Sequence, residues 1–218
     1  MSAVISFAFQ ALLRKSEYSA RNVATPCKPF DPSSSLTMAD VKFVVPDLQN
    51  PAYYMSVVLK NTKTDAYLSE NPEIYLPMDK GAPLNACWQM RRYFLSSAVP
   101  PERWATTPLF NMPISGAPLQ GKSVHSMVQS AMGLLGENAL EFGSHSLRSG
   151  GATALADAGC PEVVLKTLGR WSSECYRIYA RAAFSSVLHW GKLMASAAAA
   201  ASSLQLHLPG GGPPPPTS

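Results

Sequence analysis

Two stretches, HSLRSGGATAL (145–155) and LGRWSSECYRIYAR (168–181), decide how the rest of the chain is understood. The first predicts a helix from His145 to Ala158, stopped by Gly159, on which His145 and Arg148 stand three apart and share a face. Gly150 and Gly151 fall early in that helix, where each costs about 1 kcal/mol against alanine. Close approach of another backbone, or of a ligand, would explain why the cost is tolerated. Pro161 then opens a short helix that Gly169 stops. Ser172 is placed to cap the next helix, which carries Tyr176 and Tyr179. An alanine-rich helix continues to about residue 203, and the Gly/Pro-rich segment 204–218 is expected to be a disordered tail.

Working back toward the N-terminus, residues 2–20 predict a helix with Val4, Phe7, Ala8, Ala11 and Leu12 along its apolar face. Prolines and three consecutive serines make 25–36 a loop. Val41–Val45 and Tyr53–Leu59 are β-type runs, and Ile74–Leu76 is a third, with a polar turn at Lys60–Pro72 between the second and third. Leu84–Ser97 and Gln120–Leu135 have helical spacing, separated by a proline-rich loop. Helix, small antiparallel sheet, then helices is the order of an α+β, mostly helical fold with a three-stranded antiparallel sheet.

Hydrophobic residues at 46 % and charged residues at 15 % give a globular composition. A formal net charge of +4 is compatible with a nucleic-acid partner without requiring one. Cys27, Cys87, Cys160 and Cys175 are scattered, with neither a disulfide framework nor zinc-ligand spacing, so free thiols are expected. The apolar start, Met1 to Leu13, lacks a basic flank and is too short to span a bilayer, so a soluble, non-secreted chain is expected.

The ordered set His-x-x-Arg (145–148), Gly-Arg-Trp (169–171) and a following Tyr resembles the C-terminal boxes of tyrosine recombinases and phage-type integrases. Its wording looks most like the recombinases of DIRS-type and Crypton-type transposons. The resemblance covers about residues 5–190 and implies two more elements upstream. One is an arginine on the first helix followed three residues later by an acid, which ALLRKSE (11–17) supplies as Arg14 and Glu17. The other is a lysine between strands two and three, which NTKTD (61–65) supplies as Lys63, with Lys60 as the alternative. Domain 1–203 is then the catalytic domain, with no helical core-binding domain ahead of Arg14.

The implied chemistry is DNA cleavage and rejoining through a 3′-phosphotyrosine, without metal or small-molecule cofactor. Arg14 and Arg148 grip the nonbridging oxygens and stay protonated. His145 binds the same phosphate and helps move a proton near neutral pH. Tyr179, ten residues after Gly169, attacks phosphorus; Tyr176 competes for that role and is taken for a packing residue. The phenol, with a pKa of about 10 in isolation, relies on the cationic pocket to stabilise its anion. Lys63 protonates the leaving 5′-oxygen. Glu17 orients Arg14 by hydrogen bonding behind it. Trp171, through its indole N–H, neighbours the transition state, or Arg170 does so in its place. The implied partners are double-stranded DNA and further copies of the chain, up to a tetramer on DNA, in the nucleus if the host is eukaryotic and in the cytoplasm otherwise. The competing readings are a catalytically inactive remnant that binds DNA weakly, and a type IB topoisomerase with the same chemistry.

Overall fold

The computed structural model describes residues 2–19, 30–46, 53–60, 72–82, 84–112, 116–178 and 194. Helix α1 (Ser2–Gln10) and the single turn α2 (Lys15–Tyr18) precede strands β1 (Val41–Val44), β2 (Tyr54–Val58) and β3 (Glu73–Pro77). Helices α3 (Ala86–Ser96), α4 (Gly121–Leu134), α5 (Ser144–Asp157) and α6 (Glu162–Gly169) follow, and a 3₁₀ turn, Glu174–Ile178, comes after α6. The architecture is α+β and mainly helical, with one antiparallel sheet in the order β1-β2-β3.

Side-chain alternation along the strands divides the sheet into two faces. Val41 pairs with Val57 and Phe43 with Met55, while Met55 and Val57 pair with Leu76 and Ile74 on the other side. This set faces the helices, and Val41, Met55, Val57 and Leu76 are buried. On the opposite face Tyr54 and Tyr75 meet edge to face, with ring centroids 5.8 Å apart.

Helix α1 packs against both α3 and α5 and puts Ala3, Val4, Phe7 and Ala8 into the main core. Gln10, at its end, receives the Ala86 N–H and donates to the Leu84 carbonyl, at 2.9 and 3.0 Å. Asn85 caps α3 by accepting from the Trp88 N–H and donates to the Pro77 carbonyl. These bonds join the end of α1, the end of β3 and the start of α3.

The continuous helix predicted over 2–20 is broken. α1 stops at Gln10, Leu12 takes a left-handed backbone (φ 48°), and α2 restarts at Lys15. The local sequence contains no glycine or proline; the break comes from packing. Leu13 enters the main core, whereas Leu12 joins a second, smaller cluster with Ala152, Leu165, Trp171 and Tyr176. A continuous helix could not serve both. Helix α6 stops at Gly169, as the sequence predicts, and the left-handed cap after it falls on Arg170 (φ 54°). Pro161 sits just before the first helical residue rather than on it. After α6, Tyr176 lies in the 3₁₀ turn in place of a capped α-helix, and the alanine-rich segment lies outside the described residues apart from Met194.

Gly151 shows what the paired glycines permit. A Cβ there would sit 2.2 Å from the Phe9 carbonyl oxygen, so α1 and α5 touch backbone to side-chain-free backbone. At Gly150 a Cβ would meet the Phe9 ring at 3.4 Å, an ordinary contact. Gly151→Ala is therefore expected to destabilise the fold by about 3 kcal/mol through overpacking. Gly150→Ala should be neutral or stabilising by up to about 1 kcal/mol. Urea denaturation followed by circular dichroism checks both, and equal effects at the two positions would contradict this packing.

Candidate active site

The left-handed residues Leu12 and Arg170 bring two distant parts of the chain into contact. Around this junction stand three guanidiniums and a buried carboxylate. Glu17, with its side chain 1 % exposed, accepts from the Arg14 backbone N–H at 2.8 Å, from the Arg14 guanidinium at 3.0 Å and from the Arg170 guanidinium at 3.0 Å. A carboxylate removed from water needs such charge-assisted partners. Arg170 also donates to the carbonyls of Ala11, Leu12 and Leu168, at 3.2, 3.0 and 2.9 Å. Arg14 reaches back to the Arg170 carbonyl at 3.4 Å.

Arg148, from the middle of α5, is 2 % exposed. Its two terminal nitrogens donate to the carbonyls of Leu12 and Gly169. Its guanidinium carbon lies 4.6 Å from the centroid of the Trp171 ring, a cation–π distance. The ring in turn folds over Gly169: a Cβ at that position would fall 1.8 Å from a ring carbon. Glycine is required here for close approach.

His145 stands one helical turn before Arg148, in the first turn of α5, and is itself exposed. The start of that helix is braced from α4, since a Cβ on Gly143 would lie 2.4 Å from His125 Nδ1. Gly143 donates its N–H to Ser146 Oγ at 3.0 Å, which satisfies one of the free donors of the first turn.

Tyr176 is 3 % exposed, packs its ring 6.2 Å from Trp171 and donates its hydroxyl to Glu162 at 3.0 Å. Arg177 pulls its phenol pKa down, but burial and hydrogen bonds to Glu162 and Glu174 outweigh that and hold it above the ordinary tyrosine value. Glu174 pairs with Lys166 at 2.8 Å, which fastens the turn to α6, and with Arg177 at 2.9 Å within the turn.

The structure thus brings Arg14, Glu17, Arg148, Arg170 and Trp171 to one place, with His145 on the same helix as Arg148. Lys60 is engaged elsewhere: it pairs with Asp40 at 2.6 Å and donates to the Pro32 carbonyl at 2.9 Å. Lys63 and Tyr179 lie outside the described residues. The Leu12 and Gly169 carbonyls were not anticipated. A backbone acceptor has no signature of its own; the available signal was Gly169, taken for a helix stop. A cleft of about 740 Å³ flanks the junction, with Gln10, Ile74, Tyr75, Leu168, Arg170 and Trp171 among its walls. Among the described residues no group of three or more His, Cys, Asp or Glu side chains is arranged to hold a metal ion, and no helix is long and apolar enough to cross a membrane.

This is the catalytic-domain fold of the tyrosine recombinases. Similar solved structures include the Tn1549 transposon integrase in complex with circular intermediate DNA, at 18 % identity over 86 % of this chain with a TM-score of 0.51. The XerH site-specific recombinase bound to its difH substrate is also similar, at 15 % identity over 82 % of this chain in a pre-cleavage complex (TM-score 0.50) and 14 % over 88 % in a post-cleavage complex (TM-score 0.53). The chain spans 55 % of the integrase chain and 42–44 % of the XerH chains, about half of each. No family model and no curated protein sequence matches it.

Glu17→Gln removes the charge that two guanidiniums share and keeps the shape. The expected loss is about 3 kcal/mol, the lower end for breaking a buried ion pair, because both arginines keep carbonyl partners. Urea denaturation at neutral pH measures it. A loss below about 0.5 kcal/mol would show that the carboxylate does not hold the junction together.

Proposed function

We propose that this chain is the catalytic domain of a tyrosine recombinase that cuts and rejoins double-stranded DNA. The observation that carries the reading is the meeting of Arg14 and Arg148, 134 positions apart, at a junction tied by Glu17 and floored by Trp171. Arginine outnumbers carboxylate there, and its forked donors match a phosphodiester. A phosphate would take over one or both carbonyl positions on Arg148 and receive a further donor from His145. Charge gathering on the nonbridging oxygens in the transition state would then meet preorganised donors.

In this mechanism the Tyr179 phenol passes its proton to His145 as it attacks phosphorus, Lys63 protonates the departing 5′-oxygen, and the 3′-phosphotyrosine conserves the bond for resealing by a 5′-hydroxyl. The roles of Arg14, His145 and Arg148 are to bind and polarise the phosphate. Residues 1–203 form the catalytic unit and 204–218 a tail. The Gly-Arg-Trp wording supports placing the source among DIRS-type or Crypton-type mobile elements. Assembly on DNA as a tetramer is the arrangement this chemistry needs to exchange strands between two duplexes.

A second reading has its own observation. Arg148 is buried and already bonded to two carbonyls, which suits an inactive remnant that binds DNA weakly. A nicked suicide duplex, randomised around the nick, separates the two. The enzyme gives a covalent protein–DNA adduct that survives denaturing electrophoresis. Tyr179→Phe abolishes it, Tyr176→Phe leaves it, and Arg148→Lys lowers its rate by about 100-fold or more, the scale of losing a transition-state donor. Folded protein that binds duplex but gives no adduct at any salt concentration would establish the remnant instead.

A further inference from the structure

We infer that Trp171 is a positioning residue that acts through Arg148, rather than a donor to the phosphate; the inference rests on the recombinase reading and deepens it. The triplet Gly169-Arg170-Trp171 works as one device. Gly169 has no side chain, and the Trp171 ring occupies the space a Cβ would need. Arg170 adopts the left-handed conformation that folds the chain back, and its guanidinium is committed to Glu17 and to the carbonyls of Ala11, Leu12 and Leu168. The turn thereby lays the indole face against Arg148, 4.6 Å from its guanidinium carbon. The Gly169 carbonyl of the same turn accepts from Arg148.

The electrostatics favour this role. A guanidinium that is 2 % exposed has lost its water, so an aromatic face counts for more than it would at the surface. The face restrains the guanidinium plane and leaves its edge N–H groups for oxygen acceptors. An arginine that must grip a phosphate with two parallel bonds benefits from a fixed plane more than from another nearby donor. Trp171 itself is buried and packed between Gly169, Arg148 and the Tyr176 ring.

Three substitutions distinguish a π face from simple bulk and from an N–H donor. Trp171→Phe keeps a π face, Trp171→Leu keeps apolar bulk, and Trp171→His restores a ring N–H. With the nicked duplex, Phe is expected to hold the saturating rate of adduct formation within about 3-fold. Leu should lower it about 10-fold or more, with little change in the duplex concentration giving half-saturation. Gly169→Ala, which leaves Trp171 present but takes its seat, should act in the same direction. Thermal melts of each variant identify the temperature range in which all are folded. Nuclear magnetic resonance gives a readout independent of activity. The Arg148 side-chain protons, assigned by their loss in Arg148→Lys, should be shifted upfield by the ring in the wild type and Trp171→Phe and unshifted in Trp171→Leu. Equal losses in Phe and Leu with recovery in His would overturn the inference in favour of a phosphate donor. A Leu variant as fast as wild type, or unshifted Arg148 signals in the wild-type protein, would overturn it as well. Absence of any adduct from the wild type would sink the recombinase reading alone, and the resonance shifts would then decide the Arg148–Trp171 contact.

Discussion

A buried guanidinium must have its N–H groups satisfied, and the arrangement of this molecule around Arg148 follows from that requirement. Arg148 sits on α5 with 2 % of its surface exposed. Its acceptors include two backbone carbonyls, one just past the first helical segment and one at the end of α6. Carbonyls satisfy hydrogen bonds without neutralising charge. The buried carboxylate of the junction, Glu17, pairs with the flanking arginines Arg14 and Arg170.

Supplying those carbonyls has a conformational cost. Leu12 and Arg170 are the only described residues other than glycine with positive φ, and each such residue costs on the order of 1 kcal/mol or more. The two turns offset that cost for each other. Arg170 donates to the Leu12 carbonyl, so the second left-handed residue reinforces the turn made by the first. The turn at Leu12 also sends Leu13 to the main core and Leu12 to the cluster beneath Trp171. Packing energy from two cores therefore holds the strained backbone, and the strain lies where the cationic groups converge.

This accounts for what could and could not be anticipated from sequence. The strands were legible as short runs of β-branched and aromatic residues bounded by proline or polar turns, and the helix bearing His145 and Arg148 by its stop near Gly159. The paired glycines announced a close contact, which Gly151 makes with Phe9. The break at Leu12 was not legible: ALLRKSE (11–17) is good helix-forming sequence, and only packing against residues more than 130 positions away ends the helix. At the end of α6 the stop at Gly169 was legible, but the left-handed turn on Arg170 was not. Gly169 was needed for a different purpose, to admit the Trp171 ring, and the turn passed to Arg170. Convergence of Arg14, Arg148 and Trp171 came from family resemblance, since no local pattern could have brought them together.

The same physics separates the two neighbouring tyrosines. A nucleophilic phenol needs surroundings that favour its anion, with cations close by and acceptors away from its oxygen. Tyr176 has an acceptor on its oxygen: its hydroxyl donates to Glu162, its ring is buried against Trp171, and despite the lowering effect of Arg177 its pKa is held above the ordinary value. Ionising it would set a phenolate against a carboxylate. It is well suited to anchoring, and the Lys166–Glu174 pair fastens the same turn to α6. The hydrogen bond and ring packing of Tyr176 fix the 3₁₀ turn against α6 and Trp171.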